Sequence, residues 1–135
     1  MAEVPLAPSG PIIVYVELVG PRTSRTITMA LDTGAILTMI PIETALAIGY
    51  DPATVTKRVE LVTASGVELA PTLTIETTRC LGQAVRNLEV VCHDLPAQSP
   101  VKGLLGLNFL RRFNVHLRFL HSTLELSSRR SKQDA

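Results

Sequence analysis

The residue pattern predicts a mostly β domain with one or two short helices, on three observations. Val, Ile and Thr account for 35 of the 135 residues, and branching at Cβ stiffens χ1 and suits a pleated surface better than a helix. Nine prolines and eight glycines punctuate the chain at short intervals, as expected where short strands meet at turns. Over residues 25–31, Thr26, Thr28 and Ala30 alternate with Ile27, Met29 and Leu31, the period-two signature of a strand. Trp is absent and aromatics make up only 4%, so the core is expected to be aliphatic.

The elements follow in order. Residues 1–10 carry Pro5, Pro8 and Gly10 and read as a flexible arm, and 12–19 is an apolar run long enough for one strand. Residues 20–24 form a turn by composition, and 25–31 return as the second strand of a hairpin that ends at Asp32-Thr33-Gly34. Residues 35–40 are strand-like again. Pro41 opens a helix over 42–48, with Glu43 near its positive end and Gly49 placed to cap its C-terminus. Residues 57–64 and 67–73 are strands joined at Ser65-Gly66, the second of them continuing to Cys80. A strand over 87–95 ends at Pro96, 97–102 is a loop, 107–113 is a short helix, and 115–126 is a closing hairpin that turns near His121-Ser122. The tail 127–135 is polar and basic, which leaves one domain over residues 11–126.

Composition excludes several function classes. Thirteen Lys and Arg against twelve Asp and Glu give a net charge of +1, which provides no electrostatic footprint for nucleic acid. No run of 18 apolar residues is present, so no membrane span is expected. The first residues lack a basic segment followed by an apolar one, so a secretory signal is not expected and the cytoplasm is the predicted compartment. Cys80 and Cys92 are too few for a disulfide scaffold. They read as small buried hydrophobes, while His93, His116 and His121 have no metal spacing. Arg111-Arg112, and Arg129-Arg130 with Lys132, read as solvated charge, although Arg111 or Arg112 is also a candidate for pairing across a dimer.

One segment carries chemistry. Asp32 directly follows the apolar strand Thr28-Met29-Ala30-Leu31, where an unpaired carboxylate is costly to bury. Gly34 permits close backbone approach, and Thr33 can hydrogen-bond neighbouring backbone. Alone, the triplet could equally be an Asp turn without chemistry. A second segment, Gly103-Leu104-Leu105-Gly106-Leu107-Asn108, sets two apolar residues and a Gly before a short helix. With Leu31-Asp32-Thr33-Gly34-Ala35, the apolar 36–40 segment and the hairpin at 62–67, the chain resembles the single-lobe, retropepsin-like aspartic proteases over roughly residues 12–126.

The resemblance implies a single-lobe closed β-barrel of acid-protease type and an aspartic endopeptidase that acts on extended peptides, with no cofactor or metal. It assigns Asp32 as the catalytic carboxylate and Thr33, Gly34 and Ala35 as the active-site loop. Thr63, Ala64, Ser65, Gly66 and Val67 become a flap, and Leu104, Leu105, Gly106 and Asn108 the hydrophobic-Gly element. Asn108 is expected either to cap its helix or to tie the two Gly loops together. The chemistry needs two carboxylates around one water, one ionised and one protonated. Asp51, Asp94 and Asp134 lack the Ser/Thr-Gly that follows Asp32, so two copies of the chain must each supply Asp32 across a two-fold axis. Thr33 is then expected to reach the partner's loop. Ile36, Val62, Val67, Leu104 and Leu105 are expected pocket walls, and the 115–126 hairpin is a candidate for an inter-subunit sheet. The alternative is a catalytically silent dimerisation or peptide-binding module that keeps the fold.

Overall fold

The structure, a computed structural model, describes residues 3–128. The strands are β1 (Glu3–Pro5), β2 (Ile13–Val19), β3 (Ser24–Leu31), β4 (Thr38–Ile40), β5 (Arg58–Thr63), β6 (Gly66–Cys80), β7 (Gln83–Cys92), β8 (Gly103–Leu105), β9 (Phe113–Arg118) and β10 (Thr123–Ser128). The helices are α1 (Ile42–Ile48) and α2 (Leu107–Leu110), with a 3-10 turn at Pro52–Thr54. Strand order β2-β3-β8-β4-β7-β6, with β6 returning to β2, closes a six-stranded barrel, and β5 hangs from β6 alone. A separate sheet runs β1-β10-β9.

The apolar run of β2 alternates once folded. Val14, Val16 and Leu18 are buried in the barrel while Tyr15 is 72% exposed, because successive side chains of a strand face opposite sides. Met29, Ile40, Ile75, Val90 and Leu105 complete the interior, sealed by Ile48 of α1, Phe109 of α2 and Leu124 and Leu126 of β10. Each such side chain contributes about 1.5–3 kcal/mol on burial, so aliphatic packing holds the barrel. The helix α1 has the bounds read from the sequence, and Gly49 ends it at φ 111°, a left-handed cap that an L side chain rarely adopts.

Some boundaries differ from the sequence reading, each for a local reason. Of the segment expected as a flexible arm, Glu3–Pro5 forms β1 on β10, and Leu6 N–H donates to Ser122 O at 2.7 Å. Only Thr38–Ile40 of 35–40 is strand, because the Ala35 and Ile36 carbonyls accept from Leu107 and Asn108 instead of from a ladder. β7 starts at Gln83, four residues early, because Leu81 and Gly82 turn with positive φ and pair Cys80 with Gln83. It ends at Cys92, where its partner β4 also runs out. The helix expected over 107–113 stops at Leu110, and Phe113 already belongs to β9. Ser127 and Ser128 complete β10, while Arg129, Arg130 and Lys132 lie outside the described residues. Among the described residues, no helix is long and apolar enough to cross a membrane.

β8 is threaded between β3, to which it is parallel, and β4, to which it is antiparallel. This crossing leaves no room for a side chain at Gly103, where a Cβ would sit 2.4 Å from Met39 O. The barrel therefore brings the Asp32 loop, at the end of β3, against the segment that follows β8.

Candidate active site

Asp32 sits where β3 ends, and its N–H donates to Leu105 O at 2.9 Å, so β8 fixes its backbone. Its Oδ1 accepts from Gly34 N–H at 2.8 Å, and its carbonyl accepts from Ala35 N–H at 3.3 Å. A Cβ at Gly34 would lie 3.2 Å from that Oδ1. The loop is thus a tight turn that aims one carboxylate outward, with Thr33 and Gly34 exposed beside it.

The α2 start supports this turn. The first N–H groups of a helix have no partner within it, and the N-cap here, Gly106, offers no side chain. The Asp32 loop fills that role: Leu107 N–H donates to Ala35 O at 2.7 Å and Asn108 N–H to Ile36 O at 3.1 Å. Gly106 lies so close that a Cβ would approach Leu37 C at 2.7 Å and Ala35 O at 2.8 Å.

Beneath the crossing lies a polar lock. Asn108 Oδ1 accepts from both the N–H and the Oγ1 of Thr38, each at 2.9 Å, and its Nδ2 donates to Glu89 O at 2.6 Å. Thr38 Oγ1 in turn accepts from Gly106 N–H at 3.1 Å. The Asn108 side chain therefore ties α2 to β4 and β7; it does not cap α2, and among the described residues no hydrogen bond joins it to the Asp32-Thr33-Gly34 turn. Thr38 was not among the residues singled out from the sequence, although its one available signal, a hydroxyl inside the apolar 35–40 run, is visible there.

Thr63, Ala64, Ser65, Gly66 and Val67 form the tip of the β5–β6 hairpin. Gly66 takes φ 127°, and Thr63 Oγ1 donates to Gly66 O at 3.0 Å. β6 pairs with β7 only from Thr72 onward, so the outer part of the hairpin stands off the barrel. Lys57 and Glu89 pair at 2.6 Å near its root. Cross-strand partners share a face: Leu61 and Glu68 lie on the same side as buried Ala70, while Val62 and Val67, 87% and 62% exposed, lie on the other. Below the tip is a cavity of about 460 Å³ that includes Met39, Leu61, His93 and Asp94.

The expected pocket walls separate. Leu104 is opposite Met39 on one face, but Leu105 is buried in the core and contributes only its carbonyl to the site. Ile36 is 74% exposed and Val67 is on the outer face of the hairpin, whereas Val62, although 87% exposed, borders the cavity below the tip. Thr33 lines a second, largely apolar cavity of about 600 Å³, with Leu31, Leu107, Leu110, Val115 and Leu117. Arg111 is at its margin. The thiols of Cys80 and Cys92 belong to neither cavity; burial pushes both up to about 12, and Asp94 adds to the rise at Cys92.

A family model described as gag-polyprotein putative aspartyl protease matches residues 23–112. The fold is similar to the crystal structure of a retropepsin-like aspartic protease from Rickettsia conorii, with TM-score 0.70 at 20% identity, over 92% of this chain and 87% of that one. No curated protein matches the chain significantly.

Replacing Thr38 by Val keeps the shape but removes the hydroxyl that serves Gly106 and Asn108. Stability is expected to fall by about 1–3 kcal/mol, read by urea unfolding, with Thr38→Ser recovering most of it. Because both thiols stay protonated well above neutrality, iodoacetamide at about pH 8 is expected to label neither Cys80 nor Cys92 in the folded chain. Mass spectrometry before and after denaturation checks this.

Proposed function

We propose that this chain, which belongs to the gag-polyprotein putative aspartyl protease family and has a retropepsin-like barrel, is an aspartic endopeptidase that works as a homodimer. The observation that carries the reading is the Asp32 loop: a single outward carboxylate held by backbone hydrogen bonds from Gly34 and to Leu105. Activating a water between carboxylates needs a second such group, and no other Asp in the chain is followed by Thr-Gly or Ser-Gly. A second copy supplies it.

In this reading the two Asp32 carboxyls meet across a two-fold axis. Like charges that close cannot both stay ionised, so the pair shares one proton. The ionised member takes a proton from the water as its oxygen attacks the peptide carbonyl carbon, and the protonated member gives its proton to the carbonyl oxygen. Collapse of the tetrahedral adduct breaks the C–N bond, and the amine leaves with a proton returned by the pair. Thr33 is exposed and, among the described residues, its hydroxyl has no partner within the chain, which suits a contact to the other copy's loop. The groove it lines runs to β9, one edge strand of the β1-β10-β9 sheet. Such an edge readily adds another strand, so we assign the inter-subunit sheet to the closing hairpin through β9. The β5–β6 hairpin serves as the flap that covers an extended peptide. The free, buried Cys80 and Cys92 suit a reducing, cytoplasmic setting.

Asp32→Asn is expected to abolish peptide cleavage while sedimentation equilibrium still reports a dimer. Because each site draws on both chains, excess Asp32→Asn subunits should poison the wild type; at equal mixing only about a quarter of dimers carry two aspartates. Activity that merely scales with the wild-type fraction would exclude the shared site, and full activity in the variant would favour a silent peptide-binding module. Ala35 offers no hydroxyl to stabilise an ionised aspartate, so the pH–rate profile is expected to peak in the weakly acidic to neutral range. A maximum well below about pH 4 would contradict this.

A further inference from the structure

The cavity below the hairpin combines apolar walls with one carboxylate, Asp94, and a second, Glu68, stands beside its lining residue His93; neither acid is paired with Lys or Arg among the described residues. Met39, Leu61, Leu95 and Pro96 line it, together with His93 and Asp94. Glu68 hangs from the inner face of the hairpin opposite Leu61, with its carboxylate 3.8 Å from His93 Nε2. Three acids elsewhere in the chain are paired with Lys or Arg: Glu89 with Lys57, Glu17 with Arg79 and Glu3 with Arg118. Among the described residues, neither Glu68 nor Asp94 has a Lys or Arg within ion-pair distance. Asp94 Oδ1 is taken by Ile42 N–H at 3.0 Å, while no hydrogen bond engages its second oxygen among the described residues.

We infer that this cavity accepts a long basic side chain, Lys or Arg, of the bound peptide. Its methylenes lie along Met39 and Leu61, and its charged head reaches Glu68 and Asp94. Lys and Arg are the side chains that join an apolar stem to a cationic tip. An aliphatic side chain of the same length fills the walls and leaves the acids to water; an acidic one meets like charge. Specificity of this kind is set as much by repelling the wrong ligand as by attracting the right one. The inference rests on peptide binding in the cleft, as proposed above, and adds the chemical class of substrate.

The test uses reduced-amide peptides, which bind without being cut, carrying Arg, Lys, norleucine or Glu at one position at a time on either side of the central bond. Calorimetry at neutral pH reads their binding to the full chain, and the parent amides are assayed for cleavage in parallel. At one position Arg and Lys are expected to bind about two- to fivefold tighter than norleucine, the range for a partly exposed ion pair, and Glu weaker than norleucine. Glu68→Gln and Asp94→Asn, the latter keeping an acceptor for Ile42 N–H, should each shrink the Arg-to-norleucine ratio, and Glu68→Lys should turn the preference towards Glu. Equal binding of Arg and norleucine at every position, or a ratio untouched by both neutral variants, overturns the inference. Preference without cleavage supports it and sinks the protease reading; cleavage without preference does the reverse. Absence of any binding overturns both.

Discussion

The crossing of two backbone segments at Gly106 is the constraint on which the rest of the site depends. There the segment after β8 passes so close to residues 35–37 that no Cβ fits. The contact is productive because each segment satisfies polar groups of the other: two α2 N–H groups reach the Ala35 and Ile36 carbonyls, and Asp32 N–H reaches Leu105 O. Buried or half-buried backbone groups left unpaired are costly, so the loop geometry is determined from several directions at once. Asp32 owes its placement to these neighbours more than to any contact of its own.

Thr38 and Asn108 extend this crossing into a lock. Thr38 is fully buried on β4 and Asn108 is on α2. They are 70 residues apart in sequence, yet their side chains join β4, the α2 start at Gly106 and, through Glu89 O, strand β7. A fully satisfied polar network in a low-dielectric setting rigidifies and specifies one arrangement. The surrounding aliphatic barrel supplies that setting. Rigidity here contrasts with the β5–β6 hairpin, whose outer part is held, among the described residues, by its own ladder, the Thr63 hydrogen bonds at the tip and the Glu68–His93 contact. In the proposed reading, a fixed carboxylate beside a cantilevered cover suits a cleft that admits a chain and then excludes water.

The features outside the lock point to incompleteness of the single chain. The Thr33 groove runs from the residues flanking Asp32 to the edge strand β9. A second copy that covers the groove would satisfy the edge strand and complete the chemistry in one association, which links the proposed assembly to the proposed activity. Glu68 and Asp94, beside the hairpin, concern the ligand instead, so pairing and specificity are assigned to separate residues.

Much of the architecture was legible because it is local. Cβ-branched runs, the Pro41 and Gly49 boundaries of α1, the 65–66 turn and the 121–122 turn depend on neighbours within a few residues, and the chain spells them out. The Asp32-Thr33-Gly34 and Leu104-Leu105-Gly106 motifs were visible as well. What the chain did not spell out depends on residues far apart in sequence. The buried role of Thr38, the tie made by Asn108, the retreat of Leu105 into the core and the stop of β4 short of Ala35 all follow from the β8 crossing, which periodicity does not encode. The outward turn of Val67, the inward turn of Glu68 and the strand made by Glu3–Pro5 follow from pairing register, and a shift of one residue would exchange every face. Composition and motif thus determined the class of fold and the acid at its centre, whereas tertiary contact alone decided which neighbours hold that acid and which chemistry lines the space beside it.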